Sequence, residues 1–377
     1  MMKNTALEYY SENNNFLLPA MVGHLGGVTA TELHVPNDGI NLGNDLPGHL
    51  KTELGEQIEL LYSSVVARSA TVDGNEYVFE TGNLVGEDDS ELELRAATYQ
   101  SSLTGNLGNG FEMARLGAYN PQRSYVYVGS MGNGISSALS GAERKYLREY
   151  GSLLYEDEGE TKALPVVYAL GKVLFDQGFN VTRLGSDSAG ALLTVAYGAM
   201  FGNGEISAVH QNVRTNIVDK KPLQLVKDML RTEQTRSATH SKVSRDALKM
   251  TDEVIKFTRG RVGSEYRSRN YEPHTSLAML YSNAIGLGKG PKQGDPLMSD
   301  NTALLRNNPE ANVLFTVGSQ DPLSESPDLY RRMKEIARKL SGVGSGNVTT
   351  VIVEGSSHSL QTHYPQFLQA LGRAVLG

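Results

Sequence analysis

The run Leu184-Gly185-Ser186-Asp187-Ser188-Ala189-Gly190 sets a serine between an apolar segment and a nearly all-apolar stretch that closes at Gly202. If a strand enters and a helix leaves, the turn between them is strained and lifts the serine hydroxyl above the sheet. Residues two before and two after must then be small, because strand and helix pass close to each other. Gly190 meets this requirement, and Ser186 stands where glycine is more usual. A serine held this way attacks an acyl carbonyl once a histidine takes its proton and a carboxylate orients that histidine. The pattern alone is weak, since a plain tight turn between strand and helix uses the same residues.

Two later segments supply partners. The apolar run at 312–317 leads into Gly318-Ser319-Gln320-Asp321-Pro322-Leu323. A carboxylate there follows a late strand and can orient a histidine; equally, Asp-Pro is good turn chemistry. The run Val351-Ile352-Val353 leads into Glu354-Gly355-Ser356-Ser357-His358, which places His358 on a loop past the final strand. The other histidines are worse placed. His210 ends a strand, His240 and His274 lie in a polar insertion, and His363 begins the last helix. His24, His34 and His49 fall in the amino-terminal region.

Positioning these side chains takes a particular order of elements. From about residue 123, short apolar strands alternate with amphipathic helices, the signature of a parallel sheet. Strands are predicted at 124–128, 152–155, 179–184, 206–209, 312–317 and 348–353. Helices are predicted at 140–149, 164–176, 189–201, 329–340 and 364–376. Upstream, segments at 58–68, 76–81 and 91–99 read as strands, the last two separated by the acidic turn Gly86-Glu87-Asp88-Asp89. Together they suggest antiparallel strands at the edge of a sheet. Residues 1–55, rich in Asn and Gly, read as an extended arm that must lie on its own core or on a neighbouring subunit. Residues 214–280 break the alternation and are polar, helix-prone and locally basic. Between Arg214 and Glu272, 14 Lys/Arg stand against 8 Asp/Glu.

The order serine, acid, histidine, each after a strand of a parallel sheet, resembles the α/β-hydrolase superfamily over residues 123–377. In that superfamily the nucleophile follows the fifth strand, the acid the seventh and the histidine the eighth. The resemblance therefore implies an α/β fold, a mostly parallel central sheet flanked by helices. Residues 56–213 and 301–377 form its core, 214–300 an inserted helical lid after the sixth strand, and 1–55 the arm. It implies Ser188 as nucleophile, Asp321 as acid and His358 as base. One oxyanion donor is the backbone N–H of Ala189, where the helix dipole assists. The second is expected from the loop after the third strand, taken as Val128 to Gly134, with Met131 or Ser130 as donor. That loop lacks the His-Gly start common in lipases and esterases.

The implied activity is ester hydrolysis through an acyl-enzyme, without a metal or organic cofactor, on a small-molecule or lipid-like acyl ester. An alcohol in place of water makes the same triad an acyltransferase. A serine here argues against dehalogenase or epoxide-hydrolase chemistry, which in this superfamily uses an aspartate nucleophile. The second class of reading is a hydrolase-fold component of a virion, tail or other assembly, self-associating through the arm.

Bulk properties agree with a soluble globular chain. Its 377 residues are 39% hydrophobic and 20% charged, with a net charge of −7, which gives no reason to expect nucleic acid as a partner. There is no cysteine, so disulfides, thiolate catalysis and Cys-ligated metals are excluded. The amino terminus has no apolar run of signal-peptide length, and no segment approaches the roughly 18 apolar residues of a membrane helix. The expected location is the cytoplasm or an assembled particle.

Overall fold

The computed structural model describes residues 20–25, 28–34, 56–57, 60, 64, 66–96, 121–129, 139–187, 190–212, 296–318 and 329–354. In chain order the strands are β1 (Ala20–Leu25), β2 (Val28–His34), β3 (Val66–Val72), β4 (Asn75–Leu84), β5 (Asp88–Ala96) and β6 (Arg123–Val128). They continue with β7 (Leu154–Asp157), β8 (Glu160–Ala163), β9 (Val181–Asp187), β10 (Ala208–Asn212), β11 (Asn312–Gly318) and β12 (Val348–Glu354). The helices are α1 (Gly141–Tyr150), α2 (Pro165–Asp176), α3 (Gly190–Phe201), α4 (Pro296–Asn307) and α5 (Leu329–Leu340).

Ten strands form one sheet in the order β1-β2-β12-β11-β10-β9-β5-β6-β4-β3. From β2 across to β6 every neighbouring pair is parallel, so these strands end on one common edge. β3 and β4 form an antiparallel hairpin at one margin, closed by Asp73 and Gly74 at φ 50° and 75°. Such a two-residue turn with both φ values positive matches the twist of the strands it joins. β7 and β8 make a separate small hairpin.

The helices form for local reasons. Ser140 caps α1: its hydroxyl accepts from the Glu143 N–H at 3.2 Å, and the Glu143 carboxylate accepts from the Ser140 N–H at 2.9 Å. α2 opens with Pro165, whose missing N–H costs nothing in a first turn. α3 is apolar nearly all round because it is enclosed, with Leu193, Val195, Ala196 and Tyr197 in the main core. Gly198 permits this: a Cβ there would stand 2.5 Å from Leu184 of β9 and 2.5 Å from Leu304 of α4. Among the described residues no helix is long and apolar enough to cross a membrane.

Three differences from the sequence reading stand out. β5 is not at an edge; it is a central, parallel strand between β6 and β9. The segment read as an arm contributes β1 and β2 to the main sheet, with β2 running parallel to β12. The segment assigned to the lid already contains the start of α4 at Pro296, and α4 packs with α3 against the core. Most of residues 214–300, and the helix expected at 364–376, lie outside the described residues.

Candidate active site

The strongest geometric feature is the junction at Ser188. β9 ends at Asp187 and α3 begins at Gly190, so only Ser188 and Ala189 separate a central parallel strand from a buried helix. Ser186 is 1% exposed and donates its hydroxyl to the His210 carbonyl of β10 at 3.4 Å. Gly190 is buried as well, so small residues flank the junction where strand and helix converge. Ser188 and Ala189 themselves lie outside the described residues.

The neighbouring strand ends converge on the same edge. Asp187 of β9 is in register with Asn212 of β10, and Asn212 with Thr316 of β11. Gly318, the last residue of β11, is in register with Val353 of β12. Asp321 thus follows three residues after β11 and His358 four after β12, both beyond the described residues. Counted from β3 through the main sheet, β9 is the fifth strand, β10 the sixth, β11 the seventh and β12 the eighth.

The same count changes the context of the second oxyanion donor. Met131 and Ser130 follow β6, which is the fourth strand of that series, not the third, and is separated from β9 by β5. Gly129, the first residue of their loop, donates its N–H to the Glu80 carbonyl of β4 at 2.8 Å, on the side away from β9. The third strand is β5, whose Ala96 is in register with Ser186. Met131, Ser130 and the loop that opens at Ala97 all lie outside the described residues.

Below the edge, one face of the central strands is charged. Glu93 and Arg95 of β5 are both buried, and the Arg95 Nε donates to Glu93 Oε1 at 2.7 Å. Arg123 of β6 donates Nη1 to Glu93 Oε2 at 3.3 Å. Arg183 of β9 donates Nη1 to Glu91 Oε2 at 3.1 Å, and Arg123 lies 3.8 Å from the same oxygen. Burial by itself raises the Glu93 carboxyl, but Arg95, Arg123 and Arg183 together outweigh it and hold the group below the usual carboxylate range. Sequence reasoning did not single out this cluster, although the alternation Glu91-Leu92-Glu93-Leu94-Arg95 was its visible trace.

His210 of β10 shares that face. Its Nε2 lies 3.1 Å from the Thr316 hydroxyl. Burial, reinforced by Arg95 and only partly opposed by Glu93, pushes its pKa down to about 3, so the ring is neutral. A histidine held that low is a poor general base near neutral pH. His24 and His34 lie in β1 and β2, with His34 in register with Glu354. His49, His240, His274 and His363 lie outside the described residues.

No protein-family model matches the chain, and neither does any curated protein sequence. Solved structures do resemble it. A thermophilic esterase from Thermogutta terrifontis aligns at 14% identity over 83% of this chain and 99% of its own, with a TM-score of 0.46. An α/β hydrolase fold protein from Chitinophaga pinensis aligns at 12% identity over 83% and 97%, with a TM-score of 0.45. A haloalkane dehalogenase variant from Bradyrhizobium elkanii aligns at 14% identity over 83% and 95%, also at 0.45. Identities this low carry nothing about activity. The strand order itself, with a helix beginning three residues after the fifth strand and a common carboxyl edge for the fifth, seventh and eighth strands, gives the chain the α/β-hydrolase fold.

Proposed function

We propose that the protein is a serine hydrolase that cleaves a carboxylic ester through an acyl-enzyme, with Ser188 as nucleophile, His358 as base and Asp321 as orienting acid. The observation that carries this reading is that only two residues, Ser188 and Ala189, separate the end of β9 from the start of α3. The strands preceding Asp321 and His358 end on the same edge, which supports their convergence on that serine. In the reaction His358 takes the Ser188 proton as the hydroxyl oxygen bonds to the acyl carbon. Protonated His358 then passes the proton to the leaving alkoxide, and water repeats the sequence to release the acid.

The Ala189 N–H, at the start of α3, is the first oxyanion donor. For the second, the adjacency of β5 to β9 favours a backbone N–H in the loop opened by Ala97 over Met131 or Ser130. The substrate is a small-molecule or lipid-like acyl ester, and residues 214–295 supply the cap that selects it.

A fluorophosphonate probe tests the reading. Wild type labels, Ser188→Ala does not, and His358→Ala labels at least about a hundredfold more slowly, given the size of triad defects. Labelling that survives Ser188→Ala overturns the nucleophile. Absence of labelling in folded wild type favours a non-catalytic component of an assembly.

A further inference from the structure

Strands enclosed in a parallel sheet ordinarily bury apolar side chains on both faces. Here, three central strands place Glu91, Glu93, Arg95, Arg123 and Arg183 on one face, with Glu93, Arg95 and Arg183 buried. Such groups lose much of their hydration, and a buried ion pair is seldom more stable than well-packed apolar residues of equal volume. Net stability is therefore a weak reason for the cluster. What it does well is specify register, because each pairing holds only when strands align as they do. The bonds cross from β6 to β5 through Arg123 and Glu93, and from β5 to β9 through Glu91 and Arg183.

The Glu93–Arg95 pair also lies directly over the backbone of the nucleophile strand. Arg95 is in register with Gly185, three residues before Ser188. A Cβ on Gly185 would overlap Glu93 Oε1 and stand 2.7 Å from Arg95 Nε. The ion pair thus occupies the space that a side chain on β9 would fill, and rests on the strand itself. Beyond it, Gly185 is in register with His210, whose neutral ring Arg95 helps to maintain.

We propose that Arg95, held by Glu93 against Gly185, is a positioning residue that fixes the height and register of β9 and so of the Ser188 turn. This rests on the serine-hydrolase reading for its catalytic consequence, but not for its structural one. Displacement of a reacting atom by about 1 Å costs up to about a hundredfold in rate. Arg95→Met keeps most of the side-chain volume and removes the bond to Glu93, which remains paired with Arg123.

The test compares wild type, Arg95→Met, Arg95→Lys and a destabilised control, Asn308→Ala, using fluorophosphonate labelling, ester hydrolysis and hydrogen exchange of the peptide covering 181–192. Arg95→Met is expected to label roughly 10- to 100-fold more slowly. Its kcat falls in proportion, KM stays within about twofold, and amides of the 181–192 peptide exchange faster. Arg95→Lys recovers most of the rate. Asn308→Ala, with its unfolding midpoint lowered at least as far, labels at the wild-type rate.

Equal labelling rates in wild type and folded Arg95→Met overturn the proposal, as does a rate loss matched by Asn308→Ala. If folded wild type does not label at all, the hydrolase reading fails instead, and exchange alone decides. Faster exchange confined to the 181–192 peptide upholds the positioning role; unchanged exchange ends it. A double-mutant cycle adds an activity-free check. Gly185→Ala is expected to lower the unfolding midpoint in wild type and less in Arg95→Ser, where the overlap with Nε is gone and the Glu93 carboxylate, released from Arg95, can move off Gly185. Additive losses contradict the contact.

Discussion

Acid should expose His210. Its ring is buried in β10, and burial, with Arg95 beside it, holds the folded-state pKa at about 3 against an ordinary value of 6.5. The sign follows from which state takes up the proton. Above pH 6.5 neither state binds it and stability is unaffected; as pH falls below that value the unfolded chain protonates and the native chain does not. Stability is therefore lost progressively below pH 6.5, with the loss complete near pH 3. Each pH unit is worth more than about 1 kcal/mol, so moving from about pH 7.5 to about pH 4.5 costs roughly 2–3 kcal/mol through this residue. His210→Gln removes the titration and keeps a polar partner for Thr316. Urea unfolding of both proteins across that range measures it. Carboxylates elsewhere titrate equally in both, so the difference between the two free-energy curves isolates the histidine. The variant is expected to gain about 2–3 kcal/mol relative to wild type between the two pH values. A difference that stays constant with pH would refute the argument, because it would mean that His210 protonates as easily in the native chain as in the unfolded one.

Other expectations follow from single contacts. Asn308 accepts at Oδ1 from the Gly204 and Ile206 N–H groups, both at 3.2 Å, and donates Nδ2 to the Gly198 and Leu304 carbonyls. Asn308→Ala removes these four bonds and takes the acceptor from the buried Ile206 N–H, and should cost about 1–3 kcal/mol in urea unfolding, without changing the labelling rate of folded protein. Ser140→Ala removes half of the capping box on α1 and should cost about 1 kcal/mol by the same assay. Gly171→Ala would drive a Cβ to 2.5 Å from the Phe201 ring where α2 crosses α3, and should lower stability by about 1–3 kcal/mol. The companion change Phe201→Leu is expected to recover part of that loss.

The parallel half of the sheet was legible because its strands announce themselves. Runs such as 312–317 and 348–353 are short, apolar and followed by loops, and the observed β11 and β12 extend each by one residue. The serine junction was legible for the same reason, since an apolar strand and an apolar helix leave little chain between them. The small β7–β8 hairpin was half seen: 152–155 read as a strand, but the return strand Glu160–Ala163 is polar and was missed. Asp321, His358, Met131, Ser130 and Ala189 rest on chain order and strand ends, because those residues lie outside the described structure.

β5 shows how a correct local rule leads to a wrong placement. The pattern Glu91-Leu92-Glu93-Leu94-Arg95-Ala96 alternates with period two, which ordinarily marks a strand with one face in water. Its apolar face does line the core, through Leu92, Leu94 and Ala96. On its charged face Glu93 and Arg95 are buried as well, and Glu93 and the half-exposed Glu91 pair with Arg123 and Arg183 from strands about 30 and 90 residues away in sequence. No local window contains those partners, so the segment was placed at an edge. Taking 124–128 as the third strand and 179–184 as the fifth also made 152–155 the fourth, although it belongs to the separate β7–β8 hairpin, and this drew the oxyanion assignment to Met131 and Ser130. With β5 beside β9, the charge that disguised the strand and the glycine that precedes the nucleophile become parts of one arrangement. Gly185 is bare because Glu93 and Arg95 lie over it. Those charges are tolerated in the interior because they pair with each other and Arg123 bonds Glu93 from the neighbouring strand, which is the condition under which buried ions specify a structure instead of disrupting it.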